Sequence, residues 1–104
     1  MSDLPKLVRD KIPEIIREDN QQPETREVSE EEAEKWIRKK VLEEAKEFAE
    51  EGEIEELADL YKVIQEYINA EDLMISELEK LEEKKSEERG GFDDRIILEG
   101  VENE

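Results

Sequence analysis

Apolar residues recur at helical spacing on both sides of one central glycine, and this pattern constrains the fold most strongly. Before Gly52, apolar positions three or four residues apart are Ile37, Val41, Ala45 and Phe48. After Gly52, the same spacing connects Leu57, Leu60, Val63, Ile64, Tyr67 and Ile68. Such spacing places side chains on one helix face, and a glycine commonly ends a helix. The sequence therefore predicts two central helices that form an antiparallel hairpin around Gly52.

The remaining signals extend this hairpin to a small all-α helical bundle. Ser29 followed by Glu32 has the form of a capping box, so the second helix is predicted over residues 29–50 and the third over residues 53–69. A short first helix is predicted within residues 7–16, with Asp10 as N-cap and Pro13 in its first turn. A fourth helix is predicted over residues 72–89.

Two short segments with extended character, residues 25–28 and 95–98, could pair as a minor two-stranded β ribbon. The chain has 104 residues, which is a common size for one domain. We therefore predict a single domain over residues 1–104.

Charge and composition exclude several classes of function. Sixteen basic and 34 acidic side chains give a net charge of -18, which repels the phosphates of a nucleic acid polymer. No stretch approaches the roughly 18 apolar residues of a membrane span, and the first residues contain no apolar signal core, so we expect no membrane association and a cytoplasmic location. The absence of Cys and His excludes disulfides, thiolate chemistry, Ser–His triads and typical zinc sites. Any chemistry here must be carboxylate chemistry.

Four acidic residues of the hairpin meet in register. Glu47 and Glu56 are equally far from the turn, and Glu44 and Asp59 match one turn further away, because each helix rises about 1.5 Å per residue. Helical rotation places Glu56 inside the apolar arc of the third helix and Glu44 at the border of the second helix's stripe. The sequence therefore predicts that carboxylates meet partly inside a helix interface.

Carboxylates in such an interface repel one another and lose hydration unless a cation compensates them. We expect no Lys or Arg to do so, because Lys46 and Lys62 are predicted to point toward water. A divalent cation is therefore predicted, and an all-oxygen ligand set suits Mg²⁺, with Mn²⁺ as the alternative. The competing interpretation is that these acidic residues only coat a solvated helix face.

The same acidic residues resemble the signature of a known family. Glu44-x-x-Glu47 before the turn and Glu56-x-x-Asp59 after it are similar to the metal motif of the all-α nucleoside triphosphate pyrophosphohydrolases, the MazG-like superfamily. The terminal stretches resemble a subgroup labelled phosphoribosyl-ATP pyrophosphohydrolase-like; they are KLVRDKI at residues 6–12, RGGF at 89–92 and RI at 95–96. The resemblance covers almost the whole chain.

The resemblance implies hydrolysis of a nucleoside triphosphate between the α- and β-phosphates, which yields a monophosphate and pyrophosphate. By transfer, Mg²⁺ would be held by the catalytic residues Glu44, Glu47, Glu56 and Asp59. One of these acids, or the adjacent Glu43, would also orient the attacking water. Family members assemble as homodimers or homotetramers, and contacts between copies of this chain are predicted at Tyr61, Ile68 or Leu73.

Basic residues concentrated near both ends of the chain are candidates for binding the substrate phosphates. These residues are Lys6, Arg9, Lys11, Lys84, Lys85, Arg89 and Arg95. We predict that both terminal segments fold back over the metal site; the alternative is that these cations only relieve the acidic excess. The aromatic residues Trp36, Tyr61, Tyr67 and Phe92 are interpreted as packing residues rather than ligand contacts.

Two other functions remain open at this point. One is phosphoribosyl-ATP pyrophosphohydrolase activity in histidine synthesis, which cleaves the same bond in a different nucleotide. The other is a non-catalytic acidic helical module that uses its hairpin for self-association.

Overall fold

The computed structural model describes residues 4–102, and these residues form four α-helices and no strand. The prediction of an all-α fold is therefore confirmed. The helices are α1 (Ile12–Glu18), α2 (Glu30–Glu51), α3 (Ile54–Ala70) and α4 (Ile75–Arg89). The chain divides into two compact units, Met1–Leu73 with the first three helices and Met74–Glu104 with α4. The single domain over residues 1–104 stays a prediction.

The start of α2 follows from the predicted cap. The Ser29 hydroxyl accepts a hydrogen bond from the backbone N–H of Glu32 at 3.1 Å, which satisfies one free donor of the first turn. The Glu32 carboxylate instead accepts from Arg26 and from the Trp36 indole N–H, both at 2.9 Å. The hydrogen bond from Arg26, followed by that from Trp36, lowers the pKa of Glu32 below its ordinary value of 4.5.

The hairpin between α2 and α3 forms at Gly52, as predicted. Gly52 has a left-handed backbone with φ of 68°, and its N–H donates to the Phe48 carbonyl at 2.8 Å. This geometry ends α2 and allows α3 to begin two residues later at Ile54. The two helices pack against each other, and their interface belongs to the Met1–Leu73 unit.

The apolar core of the hairpin is narrow. Ile37 is buried in α2, and the α3 residues that are half-buried include Leu60, Val63, Tyr67 and Ile68. Leu57 and Ile64 are exposed, so the predicted buried arc of α3 is wrong at these two positions. The reason is that one neighbouring helix covers a single stripe of α3, whereas the apolar arc of α3 is wider.

The first helix begins differently from the prediction. Its N-cap is Lys11, and no side chain of residues 4–102 caps it, so Asp10 as N-cap is wrong. A turn replaces the cap, because the N–H of Ile12 donates to the Arg9 carbonyl at 3.0 Å. Pro13 lies in the first turn, as expected.

The fourth helix begins at Ile75, three residues later than the predicted Asp72. Asp72 has a positive φ of 55°, a conformation that cannot continue a right-handed helix. The helix ends as predicted before Gly90, whose N–H donates to the Ser86 carbonyl at 2.8 Å. None of the helices within residues 4–102 is long and apolar enough to cross a membrane.

The predicted β ribbon is absent from the described residues, and residues 25–28 and 95–98 belong to different compact units. A ribbon of two short strands is barely stable unless something packs against it. Phe92, predicted as a packing residue, is 93% exposed, so that prediction is also wrong. The predictions for residues 92–98 thus assumed more burial of apolar side chains than the Met74–Glu104 unit provides.

We predict that Gly52→Ala lowers the free energy of unfolding by about 1 kcal/mol, because a left-handed backbone is unfavourable for an L-residue. A Cβ at Gly52 would meet no described atom within 4 Å, so the cost comes from the backbone alone. Urea unfolding followed by circular dichroism measures it. Gly91→Ala is the control, since Gly91 is equally uncrowded and has no positive φ. Equal stability of Gly52→Ala and the wild type would contradict the prediction.

Candidate functional site

Glu44 is a buried carboxylate of α2, the helix that packs on α3, with 7% of its surface exposed. One oxygen, Oε1, lies 3.3 Å from the Lys40 ammonium and forms a salt bridge with it. The other, Oε2, is buried and has no hydrogen-bond partner among residues 4–102. A buried polar atom without a partner costs about 1–3 kcal/mol, and more when it is charged. This oxygen is therefore available to a cation.

Glu56 contributes a second atom of the same kind from the facing helix. The residue is half-buried in α3, and its Oε2 is buried without a hydrogen-bond partner in the described part of the chain. The sequence places Glu56 inside the apolar arc of α3, and this burial agrees with that prediction. Each of the two packed helices thus carries one orphaned carboxylate oxygen, that is, one that is buried and has no hydrogen-bond partner among residues 4–102.

Glu47 lies one turn after Glu44 on α2 and is exposed. The negative charge of Glu44 raises the pKa of Glu47 above its ordinary value of 4.5. Loss of hydration raises this pKa further, as does a hydrogen bond to Glu44 that forms when one of the two acids carries a proton. The structure therefore brings Glu44 and Glu47 close together, as the acidic motif predicts.

Asp59 and Glu43 are already paired with cations. The Arg9 guanidinium donates to Asp59 at 3.0 Å, and Glu43 accepts from Lys6 at 3.3 Å and from Lys40 at 3.2 Å. The expectation that no Lys or Arg compensates the acids is therefore wrong. Lys40 precedes Glu44 by four residues, a spacing that brings side chains together on a helix and that the sequence already contains.

The structure brings two of the predicted phosphate-binding cations to the acidic motif. Lys6 and Arg9 lie beside Glu43 and Asp59, whereas Lys11 is exposed at the start of α1. The others are exposed in the Met74–Glu104 unit; they are Lys84, Lys85 and Arg89 on α4 and Arg95 after it. Binding of phosphate by all seven stays a prediction.

The four predicted ligands do not form a ready-made metal site. Within residues 4–102, no group of three or more acidic side chains is arranged to hold a metal ion. The donors nevertheless fit Mg²⁺, because this ion keeps several waters and is bound through one or two carboxylates together with substrate phosphates. The orphaned oxygens of Glu44 and Glu56 are suitable carboxylate donors of this type.

The aromatic residues near the acids have structural partners. Trp36 is half-buried and donates to Glu32, and the half-buried Tyr67 hydroxyl donates to Glu34 at 3.2 Å. These contacts agree with the interpretation of Trp36 and Tyr67 as packing residues. Tyr61 is 63% exposed, so the same interpretation is wrong for Tyr61, which lies outside the half-buried stripe of α3. Burial, followed by the hydrogen bond to Glu34, raises the pKa of Tyr67.

Comparison with known proteins gives no relative: no family model, no curated protein and no solved structure matches this chain. The family resemblance therefore depends on the sequence motifs, and membership stays a prediction.

We predict that the metal-free protein loses stability as the pH rises, through Glu47. The folded chain binds the Glu47 proton more tightly than the unfolded chain. Proton binding by Glu47 therefore stabilises the folded chain. This stabilisation is fully present below a pH of about 4.5 and is lost as the pH rises through the raised pKa of Glu47. Glu47→Gln removes the repulsion, so its stability relative to the wild type should increase over that range.

The measurement is urea unfolding in a chelator at several pH values from about 4 to about 7. Glu50→Gln is the matched control, because Glu50 is exposed on the same helix and its replacement removes the same charge. A pH dependence of Glu47→Gln equal to that of the wild type would show that the crowding of Glu44 and Glu47 has no effect.

Proposed function

We propose that this chain is a Mg²⁺-dependent nucleoside triphosphate pyrophosphohydrolase of the MazG-like type, acting in the cytoplasm. The observation that supports the proposal most is the pair of orphaned, buried carboxylate oxygens of Glu44 and Glu56 on two packed helices. Lys40 offsets charge at one oxygen of Glu44, but a purely structural helix interface would place apolar side chains there, because burying a polar oxygen without a partner is costly. A cation-binding site gives these acids a reason to be buried.

The reaction would release pyrophosphate and leave a nucleoside monophosphate. The bound ion, Mg²⁺ or alternatively Mn²⁺, would offset phosphate charge and lower the pKa of a bound water. Its proposed ligands are Glu44, Glu47, Glu56 and Asp59. Glu43 is held by Lys6 and Lys40, which favours a role in positioning these ammonium groups. The orientation of the attacking water is then assigned to one of the four ligands.

An anionic substrate needs cations on a chain with a net charge of -18. Lys6 and Arg9 lie beside the acidic motif, and the Arg9 side chain is more than half exposed. A guanidinium bonded to one carboxylate oxygen retains further N–H donors for a phosphate. This position supports a role for the N-terminal segment in substrate binding; the same role is proposed for Lys11, Lys84, Lys85, Arg89 and Arg95.

We predict that Glu56→Gln reduces turnover about 100-fold or more, since loss of a residue that only supports a metal ligand already costs about 10–100-fold. Pyrophosphate release is measured over a panel of nucleoside triphosphates that includes phosphoribosyl-ATP. The same variant should lose the rise in melting temperature that Mg²⁺ gives the wild type by binding the folded state. Unchanged circular dichroism shows that the helices persist.

Glu55→Gln is the control for Glu56→Gln, because Glu55 is the exposed neighbour on α3 and carries the same charge. It should retain turnover and stabilisation by Mg²⁺. Preference for phosphoribosyl-ATP would assign the chain to histidine synthesis. Absence of hydrolysis for every nucleotide, with no effect of Mg²⁺ on stability, would favour the non-catalytic interaction module.

We also propose that the chain self-associates as a homodimer or homotetramer through an exposed apolar row on α3. The row consists of Ile54, Leu57, Tyr61 and Ile64, all exposed and spaced by three or four residues. Such a face is typical of a helix that packs on a partner. Of the residues predicted from sequence, Tyr61 belongs to this row, Leu73 lies outside it, and Ile68 is half-buried.

We predict that Tyr61→Glu shifts the molar mass toward that of the monomer, because it places a charge at the centre of this row. Light scattering coupled to size-exclusion chromatography measures the mass. Ala70→Glu adds the same charge at an exposed position nine residues after Tyr61, which is the opposite side of α3, and should leave the mass unchanged. A wild-type chain that is monomeric at all concentrations would overturn the proposed assembly.

A further inference from the structure

A cavity of about 270 Å³ lies between the N-terminal segment and α2, outside the four proposed metal ligands. Its wall includes the Trp36 and Leu42 side chains and four lysines, namely Lys6, Lys39, Lys40 and Lys46. One acidic residue, Glu43, also contributes to the wall. Four lysines and one acid in the lining of one cavity contrast with the strong negative charge of the whole chain.

The single acid of this cavity does not neutralise all of these lysines. Glu43 is bonded by Lys6 at 3.3 Å and by Lys40 at 3.2 Å, and Lys40 also contacts Glu44. Within the part of the chain that the structure describes, no carboxylate pairs with Lys39 or Lys46. Two ammonium groups therefore remain available, which favours an anionic ligand.

Trp36 gives this cavity a defined wall and holds one of the free cations. The Lys39 ammonium lies 4.7 Å from the centre of the Trp36 ring, a distance at which a cation is attracted by the ring face. The indole N–H donates to Glu32 at 2.9 Å and fixes the ring. Lys39 is thus positioned before any ligand arrives.

The basic surface continues beyond the cavity. A second cavity is lined by Lys35, Arg38, Lys39 and Leu42, so the two share Lys39 and Leu42; Arg38 is paired with Glu34 at 3.4 Å. Several cations along two adjoining cavities suit a long anion with several charges better than one carboxylate, because such an anion contacts several cations at once.

We propose that this lysine cavity binds a polyphosphate chain, either inorganic or carried by a nucleotide. The inference deepens the proposed function and rests on it for the nucleotide-borne form of the ligand. It assigns Lys39 and Lys46 to phosphate binding, and neither is among the cations that the terminal sequence motifs indicate. Lys40 connects the cavity to the buried acid, since it lines the cavity and contacts Glu44.

The test is a titration with inorganic tripolyphosphate in a chelator, at constant ionic strength. Trp36 is the sole tryptophan, so its fluorescence reports on the cavity, and calorimetry measures the same binding without depending on the indole. The wild type should bind saturably, and Lys39→Gln with Lys46→Gln should weaken binding about tenfold or more by removing two charged donors. ATP should bind at the same cavity, whereas adenosine should not.

The matched control is Lys62→Gln with Lys80→Gln, which removes two lysines outside both cavities and should change affinity less than about twofold. Tighter binding of ATP than of tripolyphosphate identifies a nucleotide ligand, and the reverse order an inorganic one. Failure of the wild type to bind either anion would overturn the proposal. Equal affinities of the wild type and of Lys39→Gln with Lys46→Gln would overturn it as well.

The same titration separates this inference from the proposed function. Glu56→Gln lies outside the cavity and should still bind tripolyphosphate while losing turnover. Saturable anion binding without hydrolysis of any nucleotide would contradict the proposed function and support anion binding by the cavity. Pyrophosphate release by a wild type that binds neither anion in the cavity would support the proposed function and contradict anion binding by the cavity.

Discussion

The packing of α2 on α3 is the interaction on which the rest of this structure depends. It buries Ile37 together with Glu44, so one interface contains both the apolar core and a carboxylate. In a chain with so little apolar surface to bury, a charged side chain in the interface opposes folding. Lys40, whose ammonium lies 3.3 Å from the Glu44 carboxylate, offsets part of this cost.

Local signals predicted much of the fold. The Ser29 cap, the break at Gly52 and the end of α4 before Gly90 depend on neighbouring residues, and all three are confirmed. The exposed positions of Leu57 and Phe92 depend on how much surface other elements cover, and here the predictions were wrong. Helical periodicity shows which residues share a face, but a face wider than one neighbour leaves apolar residues exposed.

The candidate site shows the same division between local and distant contributions. Helical rotation predicted the burial of Glu56, and the three-residue spacing of the motif brings Glu44 and Glu47 together on α2. The pairing of Arg9 with Asp59 joins residues 50 positions apart, and no periodicity encodes such a contact. The Lys40–Glu44 pair could have been predicted from its spacing, and it is the contact that connects the acids to the lysine cavity.

The Lys40 ammonium contacts two carboxylates and Lys40 also lines a cavity, so the proposed metal and polyphosphate sites would be coupled thermodynamically. Lys40 contacts Glu43 and Glu44 while it lines the space beside Trp36. An anion that draws the Lys40 ammonium toward itself leaves Glu44 with less positive charge nearby and so raises its affinity for a metal ion. Linkage makes this effect reciprocal, because a metal ion on Glu44 frees Lys40 for the anion. Polyphosphate and divalent ion would then bind this protein cooperatively, each strengthening the binding of the other.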